Sequence, residues 1–424
     1  MPTIETDTKP SARLHLFEAY GIELEYMIVD RETYNIKPIA DKLISEIAGS
    51  QVNEVERGEL ALSNELVLHV VELKTNGPAV KLAGLEQLFQ KEVREINRIL
   101  KSHDACLLPG AMHPWMDPDS ETRLWPHEYN PIYEAYNRIF DCRGHGWANL
   151  QSTHINLPFA NDEEFGKLHA AIRIVLPILP ALAASSPVAD LRRQPFSDFR
   201  LEVYRGNSSR IPSVTGRVIP EAVFSEEEYN LEIFQRMYRD IESHDPEGIL
   251  QDQWLNSRGA IARFDRGSIE IRVLDIQECP LADLAVARII TDLLKALTKE
   301  RWSDLSQQKS WNEEALYHIF MNVVKDAEHT AITDFNYLSL FGMESQEVVE
   351  AGTLWRHIFN ELYSTGSVKD DPVLQCLDKM IDFGTLSTRI SEALPENFNR
   401  DEAREVCKQL SNCLEQGKLF GVDG

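Results

Sequence analysis

Apolar and polar residues alternate along four short stretches of the chain. They are Gly21-Ile-Glu-Leu-Glu-Tyr-Met-Ile28, Leu66-Val-Leu-His-Val-Val-Glu-Leu73, Thr153-His-Ile-Asn-Leu157 and Ser268-Ile-Glu-Ile-Arg-Val273. Successive side chains of a strand point to opposite faces. Each stretch therefore predicts a strand, with Glu23 and Glu25, His154 and Asn156, and Glu270 and Arg272 paired on single faces. Ile22, Leu24, Tyr26, Ile155, Ile269, Ile271 and Val273 point the other way. A half-solvated strand ordinarily carries Thr, Ser and Lys outward. Acids, a histidine and an arginine in those places predict a sheet with one chemically active face.

Elsewhere the period lengthens. Leu82, Leu85, Leu88, Phe89, Val93, Ile96 and Ile99 recur every three or four positions and predict a helix over 79–103. Further helices are expected at 40–49, 162–184, 226–243 and 281–300. The tail adds 313–327, 344–364, 371–383 and 400–416. Further strand signals lie at 36–39, at 51–76 with breaks at Arg57-Gly58 and Ser63-Asn64, and at 107–108. The third and fourth featured strands extend over 147–158 and 259–276. Residues 190–222 carry many arginines and read as a long loop near a site. Strands and helices mix without regular β-α-β alternation, which predicts an α+β fold with a mainly antiparallel sheet. Residues 301–424 form a helical C-terminal segment packed on the core.

Composition narrows the partners. Hydrophobic residues make up 43% of the 424 and charged residues 26%, as in ordinary soluble proteins. A net charge of -25 argues against nucleic acid and anionic membrane surfaces as partners. Six scattered cysteines without a C-x-x-C pair, and a polar start without a signal peptide, predict reduced thiols in a cytoplasmic protein. The greasiest segment, 174–189, is too short to span a bilayer and is broken by Pro177, Pro180 and Pro187. Exposed helical surface in the tail could support a homo-oligomer.

The polar strand faces carry the chemistry. Glu23 and Glu25 on one face repel unless a positive charge lies between them, and a hard cation such as Mg²⁺ would supply it. The plainer alternative is a solvated edge strand. Glu72 sits in an apolar setting where a stray carboxylate is costly, or else lies outward beside Lys74. Glu65 is seven residues from Glu72, so only a bulge or a place before the strand brings both inward. His154 could ligate a metal or donate to phosphate, with Asn156 beside it. Glu270 and Arg272 pair a metal-type with a phosphate-type group, or form a cross-strand ion pair. Arg200 and Arg210 could clamp the same anion. Walker-type and dinucleotide glycine loops, H-E-x-x-H and G-x-S-x-G are absent.

These residues resemble those of the carboxylate–amine ligases related to glutamate–cysteine ligase, which share the glutamine synthetase type of fold. The likeness lies in Gly21-Ile-Glu-Leu-Glu25, Asn64-Glu-Leu-Val-Leu-His-Val-Val-Glu-Leu-Lys-Thr75, His154-Ile-Asn156, Arg210-Ile-Pro212 and Ile269-Glu-Ile-Arg-Val-Leu-Asp275, in that order. It implies a catalytic domain over 12–300, built on a curved antiparallel sheet with a catalytic inner face and helices on the outer face. It implies two or three Mg²⁺ ions, with Mn²⁺ as an alternative, held by Glu23, Glu25, Glu65, Glu72, His154 and Glu270. Arg272 and Arg210 would hold the transferred phosphoryl group, and Asn156 and Arg200 would touch substrate or ATP. The implied reaction joins glutamate to cysteine, or to another amine, through an acyl phosphate formed with ATP. Simple bacterial carboxylate–amine ligases carry His-x-His where this chain has His154-Ile-Asn156, a form closer to true glutamate–cysteine ligases. Rival readings are a phosphotransferase of the same sheet type and an ATP- and Mg-binding relative without catalysis.

Overall fold

A computed structural model describes residues 13–345 and 347–422. An eight-stranded open sheet organises it: β1 (Gly21–Asp30), β2 (Glu54–Arg57), β3 (Leu60–Asn64), β4 (Val70–Thr75), β5 (Ala105–Leu108), β6 (Ser152–Pro158), β7 (Ala260–Arg263) and β8 (Ser268–Asp275). The spatial order is β2-β3-β4-β1-β6-β8-β7, with β5 pairing the far half of β1, and every pairing is antiparallel. This is the α+β arrangement expected from the element order.

One face of the sheet is apolar because the alternation puts Ile22, Leu24, Tyr26, Leu73, Ile155 and Ile271 there, all buried. Helices α1 (Ala40–Ala48), α2 (Leu85–Leu100), α4 (Asp162–Val175) and α6 (Pro280–Thr298) join the same core. Between α2 and α4 on the sequence, α3 (Asn130–Phe140) takes a different place, described below. Helix α6 is apolar on nearly all sides, since it packs against the sheet layer, α2, α4 and the tail at once. The tail helices α7 (Glu313–Asp326), α8 (Ala351–Leu362), α9 (Pro372–Phe383), α10 (Leu386–Ala393) and α11 (Arg400–Gln416) lie over this layer. A buried pair of Arg389 with Glu278 and a bond from Arg389 Nη1 to the Phe420 carbonyl (2.7 Å) tie the tail to the end of the sheet.

Several expected elements change. The 66–73 strand starts only at Val70, because residues 65–69 form the β3–β4 connection, where Leu68 N bonds the Arg123 carbonyl. The 259–276 strand is a hairpin that turns at 264–267, with Gly267 at φ +64°. The 36–39 strand shrinks to a bridge between Ile36 and Val29. The helix over 79–103 begins at Leu85, after Gly84 at φ +92°, and 344–364 is helical only from Ala351. Inside 190–222 lies a helix, α5 (Phe199–Tyr204).

Candidate active site

The second face of the sheet is polar at its centre. Register sets Glu25 opposite Glu72, and Glu23 opposite Lys74 on one side and His154 on the other. Glu270 lies opposite Asn156. The pairing of β8 with β6 then slips between Ile271 and Leu274, so that Arg272 and Val273 together face His154. Such a bulge re-aims side chains. It adds Asp275 to the polar face that Glu270 and Arg272 already share, although 272 and 275 differ in parity.

His154 is the hub. Its Nδ1 lies 2.9 Å from Glu23 Oε2 and 3.8 Å from Glu270 Oε1, and its Nε2 lies 2.9 Å from Ser152 Oγ. Ser152 in turn donates from Oγ (2.8 Å) and from its backbone N–H (2.6 Å) to Glu25 Oε2. Asn156 Nδ2 donates to Glu23 Oε1 at 3.0 Å. Burial alone pulls an imidazole pKa down, but the hydrogen bond to Glu23 and the charges of Glu25 and Glu270 hold His154 up at about 9. The bonding fits a ring with one N–H for Glu23 and one for Ser152, and a cation bound by His154 would replace one of those protons.

On the β4 side, Glu72 Oε1 accepts from Ser63 Oγ (3.0 Å) and pairs with Lys74 Nζ (2.9 Å), which also reaches Glu54. Burial and then the Glu23 charge push the Glu72 carboxyl up all the same. At the other side, Arg272 Nε donates to Glu270 Oε1 at 3.1 Å and its Nη2 lies 3.0 Å from the same oxygen. Burial works against ionisation of Glu270, yet Arg272 and then His154 hold it below the usual carboxylate range.

Two sets of groups could grip a cation. Glu23, His154 and Glu270 each offer an atom within 4.8 Å of the others, and Glu25, Glu72 and His154 do the same. The donors are oxygen-rich with a single nitrogen, which suits Mg²⁺ or Mn²⁺ better than a soft metal. Glu65 falls outside both sets. It is half-buried in the β3–β4 connection, where strand parity does not apply, and burial followed by the charges of Glu25 and Glu72 drives its carboxyl well above the normal range.

The two remaining arginines lie elsewhere. Arg200 is fully buried on α5, where its Nε pairs with Asp275 and its Nη2 has no hydrogen-bond partner. Arg210 is exposed, and its Nη1 bonds the Ile139 carbonyl at 3.0 Å instead of reaching the acids. Ser152 and Ser63 went unread in the sequence, and Lys74 was read only as an outward neighbour of Glu72. Ser152 shares the parity of His154 and Asn156, and Lys74 that of Glu72, so counting by twos could have found both. Ser63 is visible only through cross-strand pairing.

Helix α3 roofs the polar face. Tyr133 Oη accepts from Asn64 Nδ2 (3.0 Å) near one sheet edge, and Tyr136 meets Trp254 near the other. Between them the charges of Glu65 and Arg272 act on the two tyrosines. A cleft of about 780 Å³ opens at the Gly21–Asn156–Ser268 end, where Glu23 and Lys74 reach it and Arg13 and Arg266 rim it.

Residues 19–407 match the glutamate–cysteine ligase family 2 (GCS2). The chain belongs to that family. A protein of Archaeoglobus fulgidus without a described function is 30% identical over 406 residues, covering 94% of this chain and 99% of its own length. A Nocardioides protein provisionally named glutamate–cysteine ligase 2-1 is 25% identical over 305 residues, covering 70% of this chain and 72% of its own. Among solved structures, the complex of the prokaryotic ubiquitin-like protein Pup with its ligase PafA aligns at a TM-score of 0.39 and 12% identity. That alignment takes in 96% of this chain but spans only 65% of the other, a likeness too loose to bear on function.

Proposed function

We propose that this chain is an ATP-dependent carboxylate–amine ligase that forms a γ-glutamyl amide. Family membership supports the reaction class, and one observation on the face of the sheet carries it further. Glu23, Glu25, Glu65, Glu72 and Glu270 crowd one patch, met by His154 within and by Lys74 and Arg272 at the sides, while the nearby Arg200 and Arg263 are paired with Asp275 and Asp265. An ordinary ion-pair network balances its charges, and this one leaves an excess of carboxylate. That excess is the demand of a cation site. Glu23, Glu25, Glu72, Glu270 and His154 would hold Mg²⁺, with Glu65 completing the cage. The ions would neutralise triphosphate charge and polarise the phosphorus under attack.

The protein's own groups then orient and screen. A glutamate γ-carboxylate oxygen attacks the γ-phosphorus of ATP, ADP leaves with the bridging oxygen, and a mixed anhydride forms. The amine lone pair next forms a bond to the acyl carbon, phosphate departs with the broken C–O bond's electrons, and the nitrogen gives up a proton. Arg272, held by Glu270 and kept charged, would face the phosphoryl oxygens; Lys74 would serve from the β4 side. Neither step asks for a nucleophilic side chain, and the six cysteines form no disulfide and have no assigned role. Those thiols support a reducing, cytoplasmic setting. Among the described residues no helix is long and apolar enough to cross a membrane. Cysteine is the acceptor that the family name implies, and ATP, glutamate and the amine are the expected partners.

The test is incubation with ATP, Mg²⁺, glutamate and cysteine, followed by detection of ADP and dipeptide. ADP without amide would indicate a phosphotransferase. Nucleotide and Mg²⁺ binding without ADP would indicate a relative that has lost catalysis.

A further inference from the structure

Among the described residues, Val218 is the only β-branched one with a positive φ, +68°. Branching at Cβ makes that conformation costly. The residue is buried, and strain of this kind persists only where the surroundings hold it. Here they hold it firmly. The Val218 N–H donates to the Thr215 carbonyl (3.1 Å), and the Val218 carbonyl accepts from the Gly259 N–H (2.7 Å). Arg258, the residue before Gly259, is buried and grips both ends of the loop 213–221. Its Nε and Nη2 each bond Glu221 at 2.6 Å, and its Nη1 donates to the Ser213 carbonyl at 3.1 Å. The Ser257 N–H adds a bond to the Val214 carbonyl at 2.9 Å.

Gly259 stands between that loop and β8. Its carbonyl accepts the Arg272 N–H at 3.0 Å. A Cβ on Gly259 would come within 2.6 Å of Val273 Cγ1, 3.0 Å of Val218 Cγ1 and 3.2 Å of the Val218 carbonyl oxygen. Only glycine lets these three layers close. The ladder between β8 and β6 passes from Ile271 to Leu274 and skips Arg272 and Val273. The ladder between β8 and β7 runs from Ser268 to Ile271. Arg272 thus lies just past one ladder and in the gap of the other. A bulge disrupts its ladder locally, so the Gly259 carbonyl supplies the hold that the ladder does not.

We propose that Val218 and Gly259 are positioning residues for Arg272. The proposal rests on the reading of Arg272 as the group that meets the transferred phosphoryl oxygens, and it names what fixes that group. The Val218 carbonyl, aimed by its left-handed backbone, fixes Gly259. The Gly259 carbonyl fixes the Arg272 N–H, and the Val218 and Val273 side chains close on Gly259 from two sides. With Val273 anchored in the core, Arg272 leaves the backbone in one direction, towards Glu270. Charge developing around the phosphorus must be met at a set distance, so the transition state gains more from this fixing than a bound substrate does.

Val218→Gly releases the strain and removes the side chain that closes on Gly259. With ATP, Mg²⁺, glutamate and an amine that yields amide, kcat should fall about tenfold while each KM stays within about twofold. Val218→Thr keeps the branched shape and should keep kcat, although its buried hydroxyl lowers the denaturant midpoint as glycine does. A merely structural residue would make activity follow the midpoint. NMR of the arginine Nε–H groups in the full chain reads the brace without turnover. The Arg272 signal, assigned by its loss in Arg272→Lys, should be single and sharp in the wild type and Val218→Thr, and shifted or broadened in Val218→Gly. Val218→Ala makes the same test more mildly if the glycine variant fails to fold, and Gly259→Ala, which drives a Cβ into Val273, should move the signal too. An Arg272 signal unmoved in the folded variants, or an equal kcat loss in Val218→Thr, overturns the inference and leaves the ligase standing. Wild-type protein that forms no amide from any amine overturns the ligase reading, and the role given to Arg272 with it.

Discussion

Gly21→Ala tests whether the polar face works as a positioned unit. Gly21 lies directly opposite Asn156 in the β1–β6 pairing. A Cβ there would come within 2.9 Å of Asn156 Cβ, 3.5 Å of its Cγ and 3.6 Å of its Nδ2. The backbone itself tolerates alanine, since Gly21 has no positive φ. The cost is therefore steric, and Asn156 must withdraw by about half an ångström. Overpacking of that kind costs about 1–3 kcal/mol. The movement stretches the 3.0 Å bond from Asn156 to Glu23, which also holds His154 at 2.9 Å. Since a misplacement of about 1 Å at a catalytic group can cost about a hundredfold, roughly tenfold in kcat/KM is expected, with a raised Mg²⁺ requirement. Denaturant midpoints and Mg²⁺ titrations of the initial rate check both. Adding Asn156→Gly removes the atom struck and should restore stability, but not activity, because the bond to Glu23 is gone. Wild-type midpoint and Mg²⁺ dependence in Gly21→Ala would refute the coupling.

Glu72→Gln and Glu270→Gln keep shape and remove charge; each should abolish Mg²⁺-dependent ADP formation with an unchanged circular dichroism spectrum, and retained turnover would remove that residue from the site. His113 is buried, its Nε2–H donating to the Tyr34 carbonyl (2.7 Å) and its Nδ1 accepting from the Met116 N–H (3.0 Å), and burial pulls its pKa down to about 4. Its folded value lies below the unfolded one near 6.5, so its contribution, up to about 3 kcal/mol, is complete above pH 6.5 and fades as pH falls towards 4. His113→Gln should flatten the stability profile across that window, and an unchanged slope would refute the assignment. Arg389→Met strands the Glu278 carboxylate in a dry interior, which should cost about 3–5 kcal/mol and open the tail beyond residue 386 to limited proteolysis. A wild-type cleavage pattern and midpoint would refute that.

Much of the architecture was legible because two periods dominate the chain. Alternation found β1, β6 and the polar half of β8, and the 3.6-residue period found α1, α6 and α11 to within a few residues, while α2 starts later and α4 ends earlier than expected. What alternation cannot express is a connection. His69 looks like part of a continuous Leu66–Leu73 strand, yet it lies in the β3–β4 link with Nε2 2.8 Å from the Ala148 carbonyl. Nor does a local pattern show tertiary charge pairing. Arg200 looked like a free cation in an arginine-rich loop, and only the fold reveals that Asp275, 75 residues away, already holds it.

Parity counting fails at two places, and both lie on the acid face. Glu65 and Glu72 should have opposed each other, but the first sits in a connection that no strand rule governs. Arg272 and Asp275 should have opposed each other too, but the slip in β8 brings Asp275 to the polar side that Arg272 already holds. A regular ladder would have given each strand the same two-residue spacing of polar groups and set them in straight rows. The irregularities instead bring Glu65 towards Glu25 and Glu72, and set Asp275 on the same side as Arg272. Local regularity is given up where charged groups converge from β1, β4, β6 and β8, and such departures are expected where a fold serves chemistry more than stability. Had the acids been a solvated strand face, nothing would have required either departure.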